Sequence, residues 1–295
     1  MDTGCLEQSI GLSGVGNARE LGGYRTKDGK TVKRGVLLRT AKLSTATEGD
    51  LRRLSETFRT AMVIDLRSEE EINGAPEITM FIGAASADKD LLPDGAGYLH
   101  LPILDMQKLT AQILSDPDTA ALAADMDNIK MMELFIKSGI LSDTLYFRFL
   151  DEEPGRSNYA RLFRELLSLE EGRALLFHCS QGKDRTGVAA MLILSALGAD
   201  EDTVISDYML TNQFNSERIA GERAMLERSG RVPPELIDSC LMVMDSVSES
   251  TMASLIAHIR ERCGSVRDYI IKELGISEEE IEQLRKKFLV NEEEL

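Results

Sequence analysis

An α/β fold, with a mainly parallel central sheet flanked by helices, is what this 295-residue sequence predicts. Three observations carry that expectation. Short apolar runs of strand length recur at Val36–Arg39, Ala61–Leu66, Tyr98–Ile103 and Ala174–Phe177, as buried strands do. Longer helical patterns lie between and after them. The last strand run leads through a tight loop into Val188–Leu197, apolar on nearly every side and closed by Gly198, a buried helix with a glycine stop.

The elements follow in order. Residues 1–35 are glycine-rich, and Lys27-Asp28-Gly29-Lys30 carries a hairpin-turn signal. Thr47-Glu48-Gly49-Asp50 opens a helix with acidic residues in its first turn and an apolar stripe at Leu51, Leu54 and Phe58. Pro102 stops the Tyr98–Ile103 strand. Residues 106–150 have helical patterns and no strand signal, with apolar faces at Met126, Ile129, Met131, Leu134 and Phe135. Helices are expected at Tyr159–Leu169, Asp202–Thr211 and Gln213–Arg228, and another starts at Pro233-Pro234-Glu235. The C-terminal part, 231–290, is helical, with stops at Gly264 and Gly275 and a capping box at Ser277–Glu280. A single domain spanning 1–295 is the expectation.

Lys and Arg number 34 and Asp and Glu 50, a formal net charge of −16. That excludes general nucleic-acid binding and a polybasic membrane anchor. Four cysteines (Cys5, Cys179, Cys240, Cys263) lack metal-ligand spacing, and three histidines (His100, His178, His258) are too few for a His-rich metal centre. No metal and no cofactor are expected. No basic region followed by an apolar run opens the chain, and no segment has the length of a membrane span, so a cytoplasmic, reducing location without stable membrane insertion is expected.

The chemistry is concentrated in His178-Cys179-Ser180-Gln181-Gly182-Lys183-Asp184-Arg185-Thr186-Gly187. A strand-to-helix loop aims successive backbone N–H groups into one concavity at a helix N-terminus, which suits an anion. Cys179 stands at its entrance, where the helix N-terminus and nearby cations favour a thiolate. Arg185 stands at its exit, with a planar fork that matches two phosphate oxygens. Gly182 and Gly187 let the backbone close around the anion. Lys183 adds positive charge at the mouth, Thr186 can hydrogen-bond the thiolate, and His178 orients the loop. In-line transfer of phosphate to Cys179, then hydrolysis of the thiophosphate, is the chemistry such a cradle supports. A buried structural cysteine is the bland alternative.

The run resembles the signature loop of the cysteine-dependent protein tyrosine phosphatase superfamily. Its Lys183-Asp184 pair is similar to that of a bacterial tyrosine phosphatase and lipid phosphatase family. Asn17-Ala18-Arg19-Glu20-Leu21-Gly22-Gly23 resembles a family stretch, with Glu20 where Asp is usual, and is read as a brace near the site. Arg39-Thr40-Ala41-Lys42-Leu43, Asp65-Leu66-Arg67-Ser68-x-x-Glu71, Asp207-Tyr208-Met209-Leu210-Thr211-Asn212 and the Tyr269–Arg285 stretch are further matches.

The resemblance implies a protein tyrosine phosphatase-like fold with a helical insertion over the active site, placed here within 106–150 as a candidate lid. It implies that Asp184 supplies the acid; Asp105, where many tyrosine phosphatases carry a mobile acid loop, is the competing candidate. Leu104-Asp105-Met106 does not reproduce the Trp-Pro-Asp motif of that loop. Arg39 is either buried and paired or a holder of anionic substrate. Asp65 and Arg67 either support the site or form ion pairs with each other, Arg39 or Glu71. The implied substrates are phosphotyrosine, with phosphoserine or phosphothreonine, and phosphoinositides. A catalytically weak phosphate-binding module and a thiol-redox or sulfur-transfer enzyme are the readings from other classes. Oligomeric state is left open.

Overall fold

The computed structural model describes residues 7–74, 86–115, 117, 120 and 143–291. Along the chain run β1 (Arg19–Glu20), β2 (Thr31–Val32), β3 (Leu37–Thr40), α1 (Glu48–Arg52), β4 (Thr60–Asp65), α2 (Glu69–Asn73), β5 (Gly97–His100), α3 (Met106–Leu114), α4 (Asp143–Asp151), α5 (Gly155–Ser168) and β6 (Ala174–His178). Then come α6 (Asp184–Leu197), α7 (Glu201–Phe214), α8 (Ser216–Ser229), α9 (Ile237–Met244), α10 (Glu249–Cys263), α11 (Val266–Lys272), α12 (Glu278–Phe288) and β7 (Leu289–Val290).

Five strands form one sheet in the order β1-β3-β6-β4-β5. β3, β6, β4 and β5 are parallel, and only β1 runs against its neighbour. The fold is therefore the mainly parallel α/β sheet that the sequence predicts. A small antiparallel pair, β2 with β7, ties the chain's two ends together. β6 is buried along its whole length because it lies at the centre of the sheet, which is why Ala174–Phe177 reads as an unbroken apolar run. Register sets Thr40, His178 and Asp65 abreast at the carboxyl ends of three adjacent strands. In open α/β sheets that edge is where ligands bind.

α6 packs under this edge with Thr186 to Leu194 all buried, and Gly198 ends it with φ +95°. The core includes Leu175, Phe177, Val188, Leu192, Tyr159 and Phe163. The C-terminal helices join it through Met252, Leu255, Tyr269, Ile281 and Leu284. α8 and α9 instead share a small cluster of their own: Leu226, Val232, Ile237, Cys240 and Leu241. The hairpin turn is present, with Thr26 N–H donating to Lys30 O at 2.8 Å and Gly29 at φ +82°. So is the Ser277–Glu280 capping box. Of the candidate lid, the described ends are core: Met106 and Leu109 at one side, Tyr146, Phe149 and Leu150 at the other. The stretch between, including Met126 to Phe135, lies outside the described residues. Among the described residues no helix is long and apolar enough to cross a membrane.

Candidate active site

The loop begins where β6 ends. Cys179 is fully buried at its floor, immediately after His178. Gly182 turns the backbone at φ +65°, and a Cβ there would stand 2.4 Å from Thr40 O. No other residue fits, because both the dihedral and the space exclude a side chain. The Gly182 carbonyl accepts from Asn17 Nδ2 and from Arg39, each at 2.8 Å. α6 then starts at Asp184, so its first-turn N–H groups open toward the loop.

A buried polar hub holds this loop from behind. Asp207 of α7 accepts from Arg39 at 2.5 Å, from Arg19 at 3.3 Å and from Tyr24 at 3.2 Å. Burial pushes the Asp207 carboxyl up, but the two guanidiniums outweigh it and hold it below its ordinary value. Arg19, buried and facing Arg39, is lowered to about 10. Arg19 also donates to Asn17 Oδ1, so one ion-paired cluster orients both groups that grip Gly182. The next residue of α7, Tyr208, lies so close to α6 that a Cβ on Gly187 would stand 2.8 Å from its ring.

Arg185 is aimed by Glu71 of α2. Its two terminal nitrogens donate to the two carboxylate oxygens at 2.5 and 2.8 Å, a fork-to-fork pair that leaves the remaining guanidinium donors for an anion. Glu71 also accepts from Ser180 Oγ at 2.5 Å and from Ser68 N–H at 2.9 Å, the latter as half of the α2 capping box. Burial pushes Glu71 up, yet Arg185 and these donors hold it at about 2. Tyr159 Oη donates to Arg185 O at 2.9 Å. Burial and the neighbouring Cys179 push that phenol well above its usual value.

Beside the loop, Arg67 binds Asp65 at 2.7 Å and Asp90 at 2.6 Å. His178 Nε2 is 3.2 Å from Asp90. Burial disfavours the imidazolium, but Asp65 and Asp90 prevail and hold His178 above its ordinary value. The donor atoms of Asp65, Asp90 and His178 lie within 4.8 Å of one another, a spacing that could suit a metal ion. Arg67 already fills that cation position, so the donor set fits a guanidinium.

Asp184 sits at the first position of α6 with its side chain 29% exposed. Its Oδ1 accepts from Tyr146 Oη, which is 2.7 Å from Tyr208 Oη. The model of the tyrosine phosphatase family matches residues 10–290. The chain belongs to that family. It is 28% identical to a protein of Cupriavidus necator provisionally named a tyrosine-protein phosphatase, over 93% of this chain and 86% of that one. It is also 28% identical to the triple specificity protein phosphatase PtpB of Mycobacterium tuberculosis, over 93% and 96%. A Nostoc commune tyrosine-protein phosphatase is 24% identical over 85% and 73%. The chain is a hydrolase of the protein tyrosine phosphatase type.

Some residues depart from the sequence reading, and others take one of the alternatives it left open. Lys183 is not at the mouth: it is buried, and its Nζ donates to Met242 O at 2.9 Å and Ser246 O at 3.2 Å, because the α9 end folds over it. Arg39 is fully buried and paired with Asp207, which removes it from substrate contact. Arg67 pairs with Asp65, and Glu71 is taken by Arg185 instead. Asp105 is exposed and caps α3, accepting from Lys108 N–H at 2.9 Å. Thr186 is fully buried and its hydroxyl makes no hydrogen bond among the described residues. Ser180 spends its hydroxyl on Glu71, and Gln181 Oε1 accepts from Arg218 of α8 at 2.6 Å. The Asn17–Gly23 stretch braces the loop as expected.

Sequence reasoning missed Tyr146, Tyr159, Asp90 and Arg218, and it missed Glu71 as the partner of Arg185. For Glu71 a local signal existed, the Ser68-x-x-Glu71 capping box directly after a strand. For the others no motif marks the position.

Proposed function

We propose that this phosphatase hydrolyses phosphate monoesters through a cysteinyl-phosphate intermediate on Cys179. The observation that carries the reading is the pairing of buried Cys179 at the carboxyl end of β6 with Arg185, held in a fixed plane by Glu71 at the other end of the same loop. Cys179 Sγ attacks phosphorus in line, the P–O bond to the leaving group breaks, and the Asp184 proton passes to that oxygen. Water then attacks phosphorus, the S–P bond breaks, and the water's proton returns to Asp184. Arg185 and the amides of residues 180–185 hold the equatorial oxygens, whose charge rises in the transition state. Asp184 is favoured over Asp105 because it lies in the loop itself, whereas Asp105 is committed to capping α3.

The substrates we assign are phosphotyrosine, with phosphoserine or phosphothreonine, and phosphoinositides. The name of the Mycobacterium tuberculosis relative, a triple specificity phosphatase, supports that breadth. Of the described cysteines, Cys179 and Cys263 are free thiols and buried, which supports a reducing compartment. The test is turnover of p-nitrophenyl phosphate, a phosphotyrosine peptide and phosphatidylinositol 3-phosphate by wild type, Cys179→Ser and Asp184→Asn. Wild-type turnover with an inactive Cys179→Ser upholds the reading, and the peptide-to-lipid ratio ranks the substrates. A wild type that binds phosphate but turns over none of the three overturns it in favour of a binding module.

A further inference from the structure

Asp184 is not a free loop carboxylate. Its Oδ1 accepts from the phenol of Tyr146, a residue 38 positions earlier on α4, and lies 3.4 Å from Lys183 Nζ. Tyr146 is 8% exposed and packs its ring edge-on to Tyr208, with centroids 6.5 Å apart, and against Phe149 at 5.5 Å. Its hydroxyl is 2.7 Å from Tyr208 Oη. Two helices, α4 and α7, thus bring two phenols in series onto one carboxylate. The close seat of Tyr208 exists only because α6 carries Gly187 there. Burial and the adjacent Asp184 push the Tyr146 phenol well above its ordinary value, so it stays a neutral hydroxyl, both donor and acceptor.

We propose that Tyr146, backed by Tyr208, is the positioning residue that keeps Asp184 aimed at the leaving-group oxygen and hydrogen-bonded in both of its protonation states. When Asp184 is a carboxylate, Tyr146 donates to it and accepts from Tyr208. When Asp184 carries the proton it delivers, on Oδ2, its Oδ1 is a carbonyl oxygen and still accepts from Tyr146, which still accepts from Tyr208. No proton is gained or lost by the phenols, and no heavy atom moves. Asp184 loses a proton to the leaving oxygen in the first step, and the attacking water replaces it in the second. A lone carboxylate at a helix N-terminus would have rotamer freedom that this contact removes.

The inference rests on Asp184 being the acid, and the experiment separates the two claims. kcat is measured across aryl phosphates of increasing leaving-group basicity for wild type, Asp184→Asn, Tyr146→Phe and Tyr208→Phe, with thermal unfolding followed in parallel. Loss of an acid grows as the leaving group becomes more basic, whereas loosened packing lowers every substrate alike. Asp184→Asn is expected to lose about a hundredfold or more on the most basic leaving group and far less on p-nitrophenyl phosphate. Tyr146→Phe is expected to follow the same trend with about a tenfold loss, and Tyr208→Phe with a smaller one. A steep Asp184→Asn series beside a flat Tyr146→Phe series overturns the role of Tyr146 and leaves Asp184 standing. A flat Asp184→Asn series overturns both. Should Tyr146→Phe fail to fold, a flat Tyr208→Phe series alone overturns the phenol chain.

Discussion

Glu71 grips Arg185 with both carboxylate oxygens, at 2.5 and 2.8 Å, and thereby sets the plane in which the loop's guanidinium can meet a phosphate. Replacing it by glutamine keeps the shape and loses the charge and one of the two acceptors. Glu71→Gln is expected to lower kcat/KM on p-nitrophenyl phosphate about tenfold to a hundredfold, the scale of a charge-assisted hydrogen bond. Steady-state kinetics check it, and an unchanged kcat/KM would show that Arg185 orients itself without the clamp.

The same pair makes stability depend on acid. Glu71 is held at about 2 in the folded chain against 4.5 for the free side chain. A depressed folded value contributes stability above the unfolded value and loses it as pH falls through the folded one. Glu71 is therefore expected to contribute about 3 kcal/mol near neutrality. This contribution fades from roughly pH 4.5 down to pH 2. Urea midpoints of wild type and Glu71→Gln across that range should converge as pH falls.

His178 works with the opposite sign. Asp65 and Asp90 hold its folded value above the ordinary one, so its contribution is present at low pH and is lost as pH rises through the raised value. An NMR titration of the His178 ring is expected to find its midpoint above that of a denatured control.

Asp207 neutralises two buried guanidiniums at once, Arg19 and Arg39. Asp207→Asn leaves both without a counter-charge and is expected to destabilise by about 3–5 kcal/mol. Combining it with Arg39→Met should cost less than the sum of the single losses, since the second change removes one of the stranded charges. Chemical denaturation of the three variants gives that coupling directly.

Gly182 and Gly230 form a matched pair for separating backbone strain from crowding. Both have positive φ, +65° and +61°, but a Cβ on Gly182 meets Thr40 O at 2.4 Å while one on Gly230 meets nothing within 4 Å. Gly230→Ala is expected to cost about 1 kcal/mol and to keep activity. Gly182→Ala should cost more and abolish turnover, because the loop must move off β3. Equal unfolding midpoints for the two would remove crowding as the reason for glycine at 182.

Much of this was written locally. β6, its loop and α6 are contiguous, so apolar run, glycines and Cys179 to Arg185 could be read together from neighbours in sequence. The brace at Asn17–Gly23 was legible for the same reason: it is a short stretch with a recognisable composition. Lys183 reads as solvent-facing in the sequence, because only the fold brings the α9 end over it. Asp105 stands as a competing candidate acid in the sequence, where nothing in Leu104-Asp105-Met106 reveals that its carboxylate caps α3.

Hydrophobic period and turn residues determined the class of fold, the central strand and the loop from Cys179 to Arg185, since these depend on interactions a few positions apart. The tertiary structure alone decided who pairs with whom: Glu71 with Arg185 across 114 positions, Arg39 with Asp207 across 168, Tyr146 with Asp184 across 38. A buried charge takes whichever opposite charge the strand order and helix crossings place beside it. That choice is made by the sheet's β1-β3-β6-β4-β5 order, which no local pattern encodes.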